Sequence, residues 1–166
     1  AYQGRVMTST ATGPDGISFG WINRELIASG KTGPHINAFG GEDRFWMGPE
    51  GGQFAIFFPP DAPFEFEHWQ TPACIDTDAY EIVSQTASEV VFTYTATLTN
   101  WSGTEFKVKI DRTVRLREVE SMEGTPFAEM KLVDFESENT ITNVGEHERQ
   151  KEGGLTPMWI LGMFPP

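Results

Sequence analysis

The densest group of residues able to do chemistry lies between positions 35 and 53. Glycines in this stretch let a ligand approach the backbone closely, and carboxylates beside a guanidinium offer directional hydrogen bonds to hydroxyl groups. Trp46 offers an aromatic face on which the C–H face of a sugar ring can stack. Glu42 and Glu50 could share acid–base work if their surroundings separate their pKa values. The stretch predicts a carbohydrate site, with these candidate catalytic residues: Glu42, Asp43, Arg44, Glu50 and His35.

Candidates for substrate binding extend beyond that stretch. Trp69 follows His68 in a segment rich in aromatic and acidic residues, where its ring is a second candidate sugar platform. Arg112 falls on the apolar side of its predicted strand, where a guanidinium without a partner is very unfavourable. Arg112 therefore either lines a polar cleft or follows a β-bulge near Asp111 that shifts the register. The candidate substrate-binding residues are Trp46, Gln53, Trp69, His68 and Arg112.

A structural interpretation competes with the functional one for the same side chains. Glu42, Asp43 and Arg44 could form an ion-pair network that fixes a long loop, and the indole of Trp46 could fill the core. His35 is the best of the three histidines for a catalytic role, but a histidine hydrogen-bonded within its loop explains it as well. The sequence alone leaves both interpretations open.

Strands are the elements that must position these residues. In 89–99 and 105–117, apolar residues alternate with polar ones, which is typical of strands with one buried face, and turn residues between them predict a hairpin. Shorter strands are predicted at 5–11, 17–23, 53–58, 128–137, 139–144 and 155–164. No amphipathic helix of normal length is predicted, and 24–52 is expected to be a long Gly-rich loop. The sequence predicts one all-β domain, 1–166, built as an antiparallel β-sandwich with long Gly-rich loops.

The composition restricts the partners. The 166 residues include 24 acidic and 12 basic side chains, giving a formal net charge of −12. This balance argues against nucleic acid, which needs clustered Lys and Arg, and against anionic membrane surfaces, but it is compatible with a neutral carbohydrate. No apolar run is long enough for membrane insertion, and no motif predicts a cofactor or a metal. The single cysteine, Cys74, is expected to be a small buried hydrophobe.

The segment Gly-Gly-Glu-Asp-Arg-Phe-Trp-Met-Gly-Pro-Glu-Gly-Gly-Gln at 40–53 resembles an uncharacterised bacterial family of the galactose-mutarotase-like superfamily. Residues 3–11, 19–23, 69–72 and 159–164 fit the same resemblance, which therefore covers most of the chain. The resemblance implies a supersandwich, a large curved antiparallel fold that binds a carbohydrate on a concave sheet face. The superfamily includes aldose epimerases, polysaccharide lyases and accessory domains of glycosidases.

Three functions follow from this resemblance and from the residues. The first is an enzyme, an epimerase, lyase or glycoside hydrolase, that uses the acids of the 35–53 stretch. The second is a non-catalytic carbohydrate-binding or accessory domain with Trp46 and Trp69 as platforms. The third is a structural half-domain, a truncated member of the family, whose open sheet edges are covered by a second chain or by another copy in a homo-oligomer. A periplasmic or secreted location is expected from the resemblance and from the start of the chain without Met.

Overall fold

The computed structural model describes residues 3–119 and 121–165, in which strands form most of the regular structure. Within these residues the strands are β1 (Arg44–Met47), β2 (Glu81–Gln85), β3 (Glu89–Thr99), β4 (Glu105–Leu116), β5 (Phe135–Asn143) and β6 (Met158–Leu161). The same residues form one α-helix, α1 (Arg24–Ser29), and three short 3₁₀ turns. All strand pairings are antiparallel, so the predicted all-β class is confirmed.

Strands β2 to β5 form a four-stranded sheet in the order β2-β3-β4-β5. Its centre is the predicted hairpin, because β3 pairs with β4 along its whole length without a change of register. The turn closes where the Asn100 N–H donates to the Thr104 carbonyl at 3.0 Å, and Gly103 takes a φ of 79° there, which a side chain would disfavour. The prediction of the hairpin is therefore confirmed.

One face of this sheet carries the hydrophobic core. The buried side chains that β3 and β4 contribute to it are Phe92, Ala96, Leu98, Phe106, Val108 and Ile110. They pack against β1 and against irregular segments, from which Phe45, Phe57 and Ile75 are fully buried. The opposite face is polar and more exposed, and Arg115 there forms ion pairs with Glu89, Glu136 and Glu138. The alternation of the sequence thus sorts the strands into one packed face and one polar face.

Strands β1 and β6 form a separate two-stranded pair. Every residue of β1 is buried, whereas Met158, Trp159 and Ile160 of β6 are 37–46% exposed. β6 lies within the predicted strand 155–164, but β1 and α1 both lie inside 24–52, for which the sequence predicts a loop. The pair places the residues that follow Asp43 deep in the protein.

Several of the short predicted strands are wrong in position or extent. The predicted strands 5–11 and 17–23 each reduce to one isolated β-bridge, and 53–58 is a largely buried segment of turns and bends. The predictions at 128–137 and 139–144 are replaced by the single strand β5. Short apolar runs mislead because a buried irregular segment and a buried strand both consist of apolar residues.

Polar side chains, rather than strand pairing, attach the irregular segments to the sheet. Arg112 projects from the core face of β4 and is 0% exposed. Its guanidinium donates to the Gly4 carbonyl at 3.0 Å and to Asn139 Oδ1 at 2.6 Å, and it forms an ion pair with Asp43. One buried side chain thereby joins the N-terminal segment, β5 and the residue that precedes β1.

Replacing Arg112 should therefore destabilise the whole fold. We expect Arg112→Met to lower the free energy of unfolding by about 3–5 kcal/mol, because Asp43 is left as an unpaired buried charge. Arg115→Met is the matched control on the polar face of the same strand, where the ion pairs are exposed and contribute little to stability. Urea denaturation of both variants measures the difference, and equal shifts in the midpoint would contradict the assigned role of Arg112.

Candidate functional site

The first inner ion pair joins Arg112 and Asp43. The β3–β4 register is unbroken at Arg112, so the alternative of a β-bulge near Asp111 is wrong and the side chain does lie on the core face. Burial lowers the pKa of Arg112 to about 10, which leaves it charged near neutrality. Asp43 is 7% exposed and also accepts from Ser137 Oγ at 2.8 Å. Arg112 therefore lies in a buried polar centre rather than in an open cleft.

The second inner ion pair joins Arg44 and Asp76, whose charged atoms are 3.0 Å apart. The Arg44 side chain is 1% exposed, donates to the Ile75 carbonyl at 2.8 Å and lies 4.3 Å over the ring of Trp46. Burial lowers the pKa of Arg44, while the charge of Asp76 acts in the opposite direction. Asp76 also accepts from the backbone N–H and the side chain of Asn37, so the pair fixes three segments against one another.

A third buried guanidinium, Arg5, adjoins this network. It donates to Gln3 Oε1 at 3.0 Å, to the Gly40 carbonyl at 3.0 Å and to the Asp76 carbonyl at 3.2 Å. Burial, followed by the charge of Arg44, lowers the pKa of Arg5 to about 9. Sequence reasoning missed both Arg5 and Asp76. Each directly neighbours an apolar residue, Val6 and Ile75 respectively, and a charge in such a position is a signal that could have identified them.

Glu42 is a buried anchor for the segment that follows the N-terminus. It is 7% exposed and accepts from the hydroxyl of Ser9 at 2.6 Å and from the Ser9 backbone N–H. A Cβ on Gly20 would lie 2.6 Å from the Glu42 side chain, so this carboxylate is enclosed on that side. For Glu42, Asp43 and Arg44 the structure favours the structural interpretation, since none of the three faces an open cavity.

The rest of the predicted loop divides between core and surface. Trp46 is 2% exposed, packs on Phe57 with ring centroids 5.5 Å apart and donates from Nε1 to Glu50 at 2.8 Å. Glu50 and Gln53 are exposed. Glu42 and Glu50 have no bonding partner in common, and the structure does not bring them together as a catalytic pair.

His35, His68 and Trp69 are gathered at a different place. His35 Nδ1 donates to the Trp69 carbonyl at 2.7 Å, and its ring lies 4.7 Å from that of Phe66. Trp69 is half-buried and packs on Phe57 at 4.6 Å, so Phe57 separates it from Trp46. Within the described chain His68 Nδ1 is buried without a hydrogen-bond partner. None of these three predicted residues lines the cavity beside β3, although their sequence neighbours Pro34 and Gln70 do.

This cavity, of about 590 Å³, lies beside the second half of β3. Its polar lining comes from Gln70, Thr71, Asp78, Tyr94 and the threonines of β3. Its less polar lining includes Phe58 and four proline rings, Pro34, Pro59, Pro60 and Pro72. Among the described residues that line it, Asp78 is the only charged one. The β3 edge cavity, as we name it, combines ring surfaces with hydroxyl, amide and carboxylate groups.

The edge of β3 supplies further polar groups to this cavity. The Asn100 N–H donates to the Thr104 carbonyl, in line with the β3–β4 register. The even-numbered residues of β3 therefore bond to β4, and the odd-numbered ones point their N–H and C=O groups to the other side. β2 pairs there only with residues 90–93. In the described part of the chain nothing bonds to the outward backbone groups of Thr95, Thr97 and Thr99. The cavity therefore has a row of free donors and acceptors along one wall.

Asp78 and Tyr94 form the polar end of the cavity. The Tyr94 hydroxyl donates to Asp78 Oδ2 at 2.6 Å, and this bond, followed by burial, raises the pKa of Tyr94 to about 12. The ring of Tyr94 stacks on that of Tyr80 at 5.1 Å. Cys74 is 3% exposed, and burial raises the pKa of its thiol to about 12. The expected buried, hydrophobic role of Cys74 is confirmed, and its sulfur is not a thiolate near pH 7.

Two further findings concern metals and membranes. Residues 3–119 and 121–165 contain no group of three or more His, Cys, Asp or Glu side chains placed to hold a metal ion. None of the helices in this part of the chain has the length and the apolar character needed to cross a bilayer.

The fold and the site together define an all-β protein with a polar cavity at a strand edge and a buried network of three arginines. The chain belongs to a family of unknown function, DUF6786, whose model matches residues 1–166. No curated protein and no solved structure matches it.

The burial of Trp46 can be tested against the tryptophan that faces it across the β1–β6 pair. Trp46 and Trp159 are register partners, but they are 2% and 37% exposed. We expect Trp46→Ala to lower the free energy of unfolding by about 3–5 kcal/mol, as is typical of truncating a buried aromatic side chain. Trp159→Ala should lower it by less than half as much in the same urea titration. A stable Trp46→Ala protein would restore this indole as a candidate ligand platform.

The pairing of Tyr94 with Asp78 predicts an alkaline titration. Because the folded pKa of Tyr94, about 12, exceeds the unfolded value of about 10, the hydrogen bond stabilises the fold fully below about pH 10. That contribution is lost as the pH rises towards the folded pKa. We expect Asp78→Asn to lower the pKa of Tyr94, measured by tyrosinate absorbance with Tyr94→Phe to identify the signal. An unchanged titration in Asp78→Asn would contradict the pairing.

Proposed function

We propose that this chain binds a carbohydrate in the β3 edge cavity and that it does so without itself catalysing a reaction. The observation that carries the proposal is a cavity of about 590 Å³ that combines ring surfaces with free backbone and side-chain hydrogen-bonding groups. Small-ligand sites commonly measure about 300–1,000 Å³ and place a few polar groups in otherwise apolar walls.

The chemistry of the walls suits a polyhydroxylated ring. A sugar hydroxyl both donates and accepts, and the outward N–H and C=O groups of Thr95, Thr97 and Thr99 alternate in the same way. Gln70 adds an amide to the lining. The proline rings and Phe58 offer apolar surface for the C–H groups of the ring. The resemblance to the galactose-mutarotase-like superfamily supports a carbohydrate ligand independently, and a periplasmic or secreted location would suit it.

Binding is favoured over catalysis because the cavity lacks a pair of acid–base groups. Glycoside hydrolysis uses two carboxyl groups on either side of the bond to be cleaved, whereas among the described lining residues Asp78 is the single carboxylate. The carboxylate pair that the sequence suggests for acid–base work is Glu42 and Glu50. Glu42 is buried on Ser9, while Glu50 is at the surface with Trp46, so the enzyme proposal has less support.

A second candidate, a half-domain completed by another chain or another copy, is favoured by one observation. β6 exposes the apolar side chains of Met158, Trp159 and Ile160. An exposed apolar edge strand readily pairs with a further strand. Light scattering over a range of concentrations tests this proposal, and a monomer at all concentrations, unchanged by Ile160→Lys, would exclude the homo-oligomer.

Carbohydrate binding is tested by screening a glycan array and then measuring affinity for the best glycans by calorimetry. We expect Gln70→Ala and Thr97→Val each to weaken binding roughly three- to tenfold, the equivalent of one hydrogen bond of about 0.5–1.5 kcal/mol. Thr142→Val, on the polar face of β5, is the matched control and should bind like the unmodified protein. Reducing-sugar and unsaturated-product assays should detect no turnover.

The same measurement distinguishes a binding site in the cavity from a binding site on the 35–53 loop, where the sequence predicts it. If Glu50→Gln and Gln53→Ala weaken binding while Gln70→Ala does not, the site lies on the 35–53 loop and the cavity assignment fails. If no glycan binds, the carbohydrate proposal fails altogether.

A further inference from the structure

We infer that the preferred ligand of the β3 edge cavity is an amino sugar, whose protonated amine binds the carboxylate of Asp78. This inference rests on the proposed carbohydrate function and specifies its ligand class. It starts from the bonding of one carboxylate: Asp78 Oδ2 accepts from Tyr94, and within the described chain no group donates to Asp78 Oδ1.

Asp78 differs in this respect from the other inner aspartates. Asp43 is paired with Arg112 and Asp76 with Arg44, while the third inner arginine, Arg5, donates to an amide oxygen and to two carbonyls. Within residues 3–119 and 121–165, no cationic side chain forms an ion pair with Asp78. A partly buried carboxylate without a cation favours a ligand that supplies one, because a nearby opposite charge offsets the loss of hydration.

The groups around Asp78 are neutral and leave this charge uncompensated. The titratable side chains that face it are Cys74, Tyr80 and Tyr94. Burial, and for Tyr94 the bond to Asp78, raises the pKa of each of them. All three are therefore protonated and uncharged near pH 7, and the Asp78 carboxylate determines the local potential.

The rest of the cavity suits the neutral part of an amino sugar. The hydroxyls can bond to Gln70 and to the free backbone groups at Thr95 and Thr97, while the ammonium forms a charge-assisted bond with Oδ1 of Asp78. The chain has a net charge of −12, which attracts a cationic ligand and repels a uronic acid. N-acetylation removes the ligand charge and adds bulk, so acetylated sugars should bind more weakly.

The test compares glucosamine tetramers with N-acetylglucosamine tetramers of the same linkage by calorimetry at pH 6. We expect the free amine to bind roughly tenfold or more tightly, since a charge-assisted bond is about twice as strong as a neutral one. Asp78→Asn should abolish this preference, whereas Glu81→Gln, which removes an exposed carboxylate on β2, should keep it. Circular dichroism and thermal unfolding of Asp78→Asn establish that the variant is folded.

A measurement on the unmodified protein keeps the inference testable if Asp78→Asn does not fold. Raising the pH above the pKa of the ligand amine should remove the preference, and added salt should weaken binding of the amine more than binding of the acetylated tetramer. Equal affinity for both tetramers at pH 6 overturns the amino-sugar inference but leaves the carbohydrate proposal intact. A preference that persists in folded Asp78→Asn overturns the placement of the amine, and no binding of any glycan overturns the carbohydrate proposal itself.

Discussion

Three buried arginines are the polar attachments that hold the irregular segments in place, beside the hydrophobic core that these segments share with the sheet. Arg112 reaches from β4 to the backbone of Gly4 and to Asp43. Arg44 and Arg5 then bind the side chain and the carbonyl of Asp76 respectively. Burying a guanidinium is very unfavourable unless its donors are bonded and its charge is paired. Arg112 and Arg44 each have a paired aspartate, although Nε and Nη1 of Arg44 have no hydrogen-bond partner among the described residues. Displacing the segment that carries Asp43 or Asp76 therefore leaves a buried guanidinium without its counter-charge.

This constraint explains why the residues with the most chemical character do not form the cavity. Glu42, Asp43 and Arg44 hold their carboxylates and guanidinium inward to meet partners on distant segments. The polar cavity arises instead where a strand lacks a neighbour. β2 covers only residues 90–93 of β3, and the loops beside the remaining edge carry Pro59, Pro60 and Pro72. Proline has no N–H to donate to a strand edge, so these loops border the edge without pairing along it.

The sequence predicts those features of the fold that depend on residues close to one another along the chain. The β3–β4 hairpin follows from alternation over two adjacent strands, and the inward position of Arg112 follows from the same parity. The ion-pair interpretation of Asp43 and Arg44 could be stated, but their partners could not be named. Arg112 and Asp43 are separated by 69 positions, and Arg5 and Asp76 by 71. No local sequence pattern predicts such distant pairings. The β3 edge cavity could not be predicted either, because it depends on where β2 ends.

The walls of the cavity are fixed before any ligand arrives, and this determines what binding can contribute. β3 is hydrogen-bonded to β4 along its whole length, and the proline rings in the lining have little conformational freedom to lose. The entropic cost of ordering the protein when a ligand binds is therefore small. The ligand must, however, replace the water that solvates the free edge of β3, so each neutral hydrogen bond contributes only a modest net amount. Specificity then depends most on the group that can form a charge-assisted bond, which among the described lining residues is the carboxylate of Asp78.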